Sequence, residues 1–270
     1  KVFSINKETY PDFDEMVNDF NNVGVKVVTI IDPGVKIEKG YNIYEEGIEN
    51  SYFALRDGKV YENAVWPGDS VFPNFLNSKV RNWWGDNSKF LLEHGIRGIW
   101  TDMNEPASFK GALPDDVLFK ADNRDYLHKE AHNVYGSCMA KATYNGLKKH
   151  DKRRPFVITR ACYADVQKYS TVWTGDNQSI WPHLEMAIPQ LCNMGMSGLV
   201  FSGTDIGGFG TNTHKELLIR WLEASIFTPL FRNHCEVGSI HQEPWCFDKE
   251  TIDIYPEIKI DEKGFFGRGL

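Results

Sequence analysis

The sequence predicts an α/β fold built on a parallel sheet, of the (β/α)8 TIM-barrel type and incomplete. Short apolar segments alternate with segments of helical periodicity along the 270 residues, and this order is typical of parallel strands joined by helices. A polar residue follows each of six predicted strands. The chain length suits a single barrel domain of about 250 residues, but six strands leave an eight-stranded barrel two short.

The helices and strands are predicted from periodicity and β-branched content. Residues 11–24 form a helix, because Phe13, Met16, Val17 and Phe20 fall at i, i+3, i+4 and i+7. Residues 25–31 are a continuous apolar, β-branched run, typical of a strand that is buried on both faces. The alternation then continues, with strands at 96–100, 155–159, 171–173, 198–202 and 227–231, and with helices that end near His94 and that span 126–149, 184–194 and 216–224.

The polar residues at the strand ends favour a closed barrel over an open sheet. A barrel carries its catalytic groups at the carboxyl ends of its strands, whereas a doubly wound sheet binds ligands mainly at one switch point. All six predicted strands lead into a polar residue, namely Asp32, Asp102, Arg160, Asp176, Asp205 and His234.

The chain divides into a barrel portion, residues 1–250, and an atypical tail, residues 251–270. Residues 33–78 interrupt the barrel pattern with a long segment rich in Gly, Pro, Asn and aromatics, including Tyr41 and Trp66. Loops longer than about 12–15 residues in compact domains are usually functional or disordered. The aromatic content favours an ordered lid over the active site.

Composition excludes several classes of partner. The net charge is −7 and the chain has no basic run, which argues against nucleic acid and anionic membranes as partners. No apolar run approaches the roughly 18 residues of a membrane span. Five widely spaced cysteines without a C-x-x-C pair indicate reduced thiols and a cytoplasmic location.

Two carboxylate segments carry the predicted chemistry. In residues 98–106, an apolar strand leads directly into Asp102 and Glu105; the alternative interpretation is a helix cap or an ion pair with Arg97. Asp176 ends another strand, where a plain turn is equally consistent. Two carboxylates from different strands are the minimum for glycoside hydrolysis, which in retaining enzymes needs them about 5–5.5 Å apart.

Other polar residues have roles that depend on this interpretation. Arg160 and His234 are candidates to bind sugar hydroxyls and to shift carboxylate pKa values. Asp205 is a candidate either to accept hydroxyl hydrogen bonds or to hold Arg160. His128 and His132 lie at i and i+4 of a helix, but H-K-E-A-H is not a zinc-protease motif, and a solvated helix face is the preferred interpretation. No metal site is predicted.

The segment GIWTDMNEPASF resembles the signature of glycoside hydrolase family 31. The segments IIDPG and VWPG before it, and VITRA, WTGDN, GTDIGGF and FRNH after it, are similar to other active-site blocks of that family, in the same order and over about residues 1–250. The resemblance implies a retaining α-glycosidase on a (β/α)8 barrel, without metal or cofactor. Its substrates would be oligosaccharides or α-glucosides.

Carried over block by block, the resemblance implies that Asp102 is the nucleophile and Asp176 the general acid/base. The residues that it implies for the first sugar subsite are Ile30, Asp32, Trp66, Trp100, Met103, Arg160, Trp173, Asp205, Phe209 and His234. We expect Trp66 and Trp173 to pack against the sugar, although a core tryptophan is the alternative.

The sequence also departs from the family pattern. By the resemblance, a β-sandwich and two barrel strands, one with a further subsite Asp, should precede Lys1, and residues after about Tyr255 match nothing in the family. We therefore expect residues 1–270 alone to be marginally folded and inactive, because open strand edges aggregate.

Three functions remain open at this point. They are a working α-glucosidase, an inactive or sugar-binding remnant, and a sister specificity such as α-xylosidase. The α-xylosidase branch usually reads Asp-Phe-Gly-Glu at the nucleophile, whereas Asp102-Met103-Asn104-Glu105 resembles the glucosidase branch. Linkage preference and oligomeric state are not predicted.

Overall fold

The computed structural model describes residues 1–258 and divides the chain into two compact units, Lys1–Ser170 and the part that begins at Thr171. The helices of unit 1 are α1 (Phe13–Asn22), α2 (Asn42–Glu49), α3 (Ser78–Glu93) and α4 (His128–His150). Its strands are β1 (Val28–Ile30), β2 (Val35–Lys36), β3 (Leu55–Arg56), β4 (Lys59–Val60), β5 (Glu62–Val65), β6 (Gly68–Val71), β7 (Gly98–Thr101), β8 (Leu118–Lys120), β9 (Asp125–Leu127) and β10 (Val157–Thr159). Unit 2 contains β11 (Thr171–Trp173), β12 (Ser202–Gly203), α5 (Trp181–Met196), α6 (Lys215–Ser225) and α7 (Lys249–Ile258).

Three parallel strands form the frame of unit 1. β7 lies between β1 and β10, with Ile30 opposite Trp100 and Thr159 opposite Thr101. β7 and β10 are buried almost throughout, as their apolar, β-branched residues require. β1 differs from its prediction as a strand buried on both faces, because Val28 and Ile30 are exposed. Within the described residues β1 pairs with β7 alone, so one of its edges is open.

Residues 33–78 are folded and are not a long loop. They contain α2 and strands β2 to β6, and β2–β6–β5 and β4–β3–β8–β9 form two small antiparallel sheets. Asp57 and Gly58 join β3 to β4 with φ of 50° and 74°, which is the pattern of a two-residue type I′ hairpin turn. These elements were missed because strands of two to four residues show little periodicity, and the role of the segment as a lid over the active site stays a prediction.

The core of unit 1 depends on a close crossing of α3 and α4. A Cβ on Gly146 would lie 2.1 Å from the carbonyl oxygen of Gly85, and one on Gly85 would lie 2.7 Å from the carbonyl oxygen of Ala142. The two helix backbones therefore touch, and Trp84 and Tyr135 pack with them in the interior. This crossing fixes α4, which also packs on β10 and β7.

Unit 2 is described by itself. β11 and β12 pair in parallel, with Trp173 opposite Gly203, and α5 and α6 bury Leu184, Leu218 and Trp221. The strand predicted at 227–231 is not formed; Leu230 gives one backbone bond to Ser202, and Asp205 and Arg232 form an isolated bridge. Pro229 has no N–H to donate to a ladder, so the apolar run does not continue as a strand.

The last element, α7, covers the start of the predicted tail, and the rest of the tail lies outside the described residues. Within the part of the chain that the structure describes, no helix is long and apolar enough to cross a membrane.

The helix crossing yields a stability prediction. Gly146→Ala should lower the thermal midpoint, because the new methyl group clashes with the Gly85 backbone and overpacking costs about 1–3 kcal/mol. Gly195→Ala in α5 is the matched control: nothing lies within 4 Å of its Cβ position, and the change should be neutral or stabilising by up to about 1 kcal/mol. Equal thermal midpoints for the two variants would contradict the packing described.

Candidate active site

The carboxyl ends of β7 and β10 place two functional side chains beside each other. Asp102 is the first residue after β7 and Arg160 the first after β10. Because Thr101 lies opposite Thr159 in the parallel pair, the next residue of each strand is also adjacent. Asp32 lies two residues after the end of β1, on the other side of β7.

Arg160 is shared between two carboxylates. Its Nε and Nη2 donate to the two oxygens of Glu105, each at 2.8 Å, and its Nη1 lies 3.2 Å from Oδ1 of Asp102. Both the Arg160 and Asp102 side chains are largely buried. A two-point guanidinium–carboxylate pair fixes the plane of the guanidinium. Glu105 therefore orients Arg160, and the third nitrogen of Arg160 holds and favours ionised Asp102.

The backbone after Asp102 is held in an unusual conformation. Met103 has a φ of 54°, in the left-handed region, and its N–H donates to Oδ1 of Asp102 at 2.8 Å. Strain of this kind at a non-glycine residue clusters at functional sites. The Sδ of Met103 accepts from Arg160 at 3.3 Å, so this strained residue contacts both members of the ion pair.

Asn104 stabilises this turn from inside. It is fully buried, and its Nδ2 donates to the hydroxyl of Thr159 at 2.9 Å, while its Oδ1 accepts from the N–H of Ala161 at 3.0 Å. These two bonds link the residues after β7 to the residues around Arg160. Asn104 thus holds the turn that carries Asp102 against the segment that carries Arg160.

Asp32 is the third carboxylate of this region. Burial raises its pKa to about 6, and the negative charge of Asp102 adds to the rise, whereas Arg160 opposes it. Its Oδ1 is buried and has no hydrogen-bond partner among the described residues. Arg160 contacts Asp102 and Glu105 directly, and the neighbouring Asp32 carries the raised pKa.

Two predicted subsite residues of unit 1, Ile30 and Trp66, are exposed. Trp66 is 71 % exposed and is therefore not a core tryptophan. Its ring meets Phe109 edge to face, with 4.9 Å between centroids, and the N–H of Phe109 donates to Ala64 at 2.8 Å. Ile30 is exposed, and Trp100, on β7, is half-buried.

In unit 2, Asp176 lies on a turn that Asn177 organises. Asp176 is exposed, three residues after the end of β11, and Gly175 before it has a φ of 85°. Buried Asn177 accepts from the hydroxyl of Thr174 at 2.6 Å, and its carbonyl accepts from the N–H groups of Phe209 and Gly210. The turn is thereby joined to the segment that follows β12.

Asp205 pairs with Arg232, which the sequence analysis did not single out. Asp205 is fully buried, and the two side chains form a short ion pair. The guanidinium of Arg232 also lies 4.8 Å above the Trp173 ring. Trp173 is only 2 % exposed, so the structure places it in the interior, and its contact with sugar stays a prediction. Arg232 stands in the quoted FRNH block, two residues before His234.

Phe209 and His234 stack on each other, with 5.3 Å between ring centroids. Burial and the charge of Arg232 lower the pKa of His234 to about 4. His234 is therefore neutral near pH 7 and offers hydrogen bonds without charge.

The structure does not support a metal role for the two α4 histidines. His128 is buried, which corrects the expectation of a solvated face, and its Nδ1 contacts the carbonyl of Leu113 at 3.0 Å. Nδ1 of His132 lies 3.0 Å from Nε2 of His128, so the pair bond to each other. Among the described residues, no group of three or more potential ligands is arranged to hold a metal.

Residues 1–259 match the glycosyl hydrolases family 31 TIM-barrel domain, and the chain belongs to this family. It is 47 % identical over 254 residues to alpha-glucosidase 2 of Bacillus thermoamyloliquefaciens, a match that covers 93 % of this chain and 32 % of that protein. It is 37 % identical over 265 residues to human neutral alpha-glucosidase C, covering 95 % and 29 %. The chain thus spans about a third of the length of these relatives.

Solved structures give the same result. The glucosidase II alpha subunit in its Glc1Man2-bound form matches with a TM-score of 0.90 at 33 % identity, over 96 % of this chain and 29 % of that one. The family 31 alpha-glucosidase of Bacteroides thetaiotaomicron matches with a TM-score of 0.83 at 34 % identity, over 96 % and 42 %. The fold is therefore that of a TIM-barrel domain, of which the described parallel strands are an incomplete set.

The raised pKa of Asp32 predicts a pH dependence of stability. A carboxyl whose pKa is higher in the folded state than in the unfolded state stabilises the fold fully at pH values below its unfolded-state pKa, which is near 4. That stability is lost as the pH rises through the folded-state pKa of about 6. Asp32→Asn should therefore be more stable than wild type at pH 7, by at most about 3 kcal/mol for a shift of about two units. The difference should vanish near pH 4.

Denaturant unfolding of both proteins from pH 4 to 8 measures this difference. The comparison with wild type is needed because the pKa of His234 is lowered in the folded state. His234 therefore makes the free energy of unfolding rise with pH between about pH 4 and 6.5, opposite to the effect of Asp32. A difference that is independent of pH would contradict the charged environment assigned to Asp32.

Proposed function

We propose that the protein carrying this chain is a retaining α-glucosidase, which releases terminal non-reducing α-linked glucose from oligosaccharides. Asp102 attacks the anomeric carbon, and the acid Asp176 protonates the departing oxygen. A covalent glucosyl ester on Asp102 results, and Asp176, now a base, activates the water that hydrolyses it. Membership of family 31 and relatives that carry alpha-glucosidase names support this proposal.

The observation that carries the proposal is the division of Arg160 between Glu105 and Asp102. A nucleophilic carboxylate must be ionised and fixed in direction, and Arg160 provides both through its contact with Oδ1. Glu105 has both oxygens engaged by Arg160, which leaves it poorly suited to attack a sugar. Asp102 is therefore the better nucleophile of the two.

The remaining subsite residues supply recognition. Neutral His234 and the carboxyl of Asp32 suit hydrogen bonds to glucose hydroxyls, and exposed Trp66 offers an indole face to sugar C–H groups. The bond that is cleaved is left open, because relatives of this chain carry names as different as glucan 1,3-alpha-glucosidase and dextranase.

Two substitutions test the roles of the carboxylates in the protein at its full natural length. Asp102→Ala should abolish turnover of all α-glucosides. Asp176→Ala should lower kcat/KM for oligosaccharides by about 10²- to 10⁴-fold, the usual share of an acid catalyst, and should spare α-glucosides with dinitrophenolate leaving groups, which need no proton. Kinetics on a panel of α-glucosides and α-xylosides measure both effects.

The outcomes separate the alternatives. Substantial residual turnover in Asp102→Ala would transfer the nucleophile role to Glu105. Equal losses on activated and unactivated substrates would remove Asp176 from the acid role. A wild-type protein that binds glucosides without turnover would be a sugar-binding remnant, and one that prefers α-xylosides would have the sister specificity.

A further inference from the structure

The side chain of Gln242 lies at the centre of an unusual cluster of oxygens in unit 2. It is buried, and its Nε2 is within hydrogen-bond distance of the carbonyls of Ile206 at 3.0 Å, Gly208 at 3.1 Å and His234 at 3.3 Å. The fourth oxygen is Oδ1 of Asn233, at 3.0 Å. The Nδ2 of Asn233 in turn donates to the carbonyl of Gln242 at 2.9 Å.

These four oxygens come from two separate segments. Ile206 and Gly208 belong to residues 205–209, which carry Asp205 and Phe209. Asn233 and His234 belong to residues 232–234, which also carry Arg232. Residues 205–209 follow β12 and residues 232–234 follow α6, and neither segment lies in a helix or in a named strand. A β-bridge between Asp205 and Arg232 and the backbone bond from the Ile206 N–H to the Arg232 carbonyl join their first residues, and the side-chain hydrogen bonds of Gln242 add further links between them.

The chemistry at this position requires a donor. A primary amide has two N–H groups, which the four surrounding oxygens share. An apolar side chain of the same length would leave buried carbonyls without a donor, and a carboxylate would place an oxygen against four others. Gly207 makes room for the amide, because a Cβ there would lie 3.2 Å from Oε1 of Gln242.

We propose that Gln242 is a positioning residue of the glucose-binding site: its amide nitrogen ties residues 205–209 to residues 232–234 and thereby sets the spacing of Asp205, Phe209 and His234. This inference rests on the proposed function for its catalytic consequence. Gln242 is only 2 % exposed. It acts through the Phe209–His234 stack and the Asp205–Arg232 ion pair, each of which has one member in each segment.

Three variants of the protein at its full natural length test the proposal. Gln242→Met keeps the length of the side chain and removes the donors, and kcat/KM should fall by about 10- to 100-fold, as expected when substrate-binding groups shift by about 1 Å. Gln190→Met is the matched control, the same substitution on α5 outside the two tied segments, and should stay within twofold of wild type. A loss of thermal stability in Gln242→Met with kcat/KM within twofold of wild type would overturn the proposal.

Gln242→Glu gives a signature that a merely structural role lacks. Burial among oxygens favours its protonated form, which regains one O–H donor. Its kcat/KM relative to Gln242→Met should therefore rise at least about threefold between pH 7 and pH 5. Among the described residues, the ionisable groups near the cluster include Asp205, Arg232, His234, Cys235, Glu236, His241 and Glu243. They are common to both variants, so the ratio removes their contribution. A ratio that does not change with pH would overturn the donor argument.

Hydrogen exchange separates this proposal from the proposed function. The N–H of Ile206 bonds to the carbonyl of Arg232, and the N–H of Glu236 bonds to that of Phe209, so both report on the tie between the segments. In Gln242→Met these two amides should exchange at least about tenfold faster, while amides inside α6 stay unchanged. Unchanged exchange at Ile206 and Glu236 would overturn the positioning role, whereas absence of α-glucosidase activity in wild type would overturn only the proposed function.

Discussion

The guanidinium of Arg160 gives two nitrogens to Glu105 and a third to Asp102, and the arrangement of unit 1 around the strand ends depends on this distribution. The buried guanidinium of Arg160 acts on three carboxylates. Two of them contact it directly, and the pKa of the third, Asp32, is raised to about 6 by burial and by the negative charges of Asp102 and Glu105. Arg160 thus orients Asp102, which lies beside a carboxyl that protonates more readily than usual. The proton donor that glycoside hydrolysis also needs is proposed to be Asp176.

In unit 2 a second arginine also pairs with a buried carboxylate. Arg232 neutralises fully buried Asp205, lies over the Trp173 ring and lowers the pKa of His234. A neutral imidazole stacked on Phe209 is well suited to hydrogen-bond an uncharged sugar. The carboxylates Asp32, Asp102, Asp176 and Asp205 and the guanidinium of Arg160 stand one to three residues beyond a strand. Buried amides fix the neighbouring turns: Asn104 in unit 1, and Asn177 and Gln242 in unit 2. The strands determine where the functional side chains begin, and the buried amides hold the turns that fix the distances between them.

The parallel strands that bear the catalytic candidates were predictable from sequence, because β7, β10 and β11 are short β-branched runs between helices. Asp102 and Arg160 were predictable as strand-end residues. Their contact was not, since it depends on β7 and β10 being neighbours in a register that pairs Thr101 with Thr159. The pairing of Glu105 with Arg160 follows from the same register.

Other failures have different causes. The Asp57-Gly58 hairpin carried its turn signal, but strands of two residues carry no periodicity, so residues 33–78 looked like a loop. Residues 227–231 are apolar enough for a strand, and Pro229 removes a donor that a ladder needs. Gln242 gives no signal in sequence, because its role arises from four oxygens that meet only in the folded chain.

We propose that Asp102 carries the sugar during turnover, and a mechanism-based label can identify the residue that does so. A fluorinated α-glucosyl fluoride forms the glucosyl ester and slows its hydrolysis, so that the modified peptide of the protein at its full natural length can be located by mass spectrometry. We expect a single glucosyl ester on Asp102. An ester on Glu105 or Asp32, or steady hydrolysis of the reagent with no labelled peptide, would contradict it.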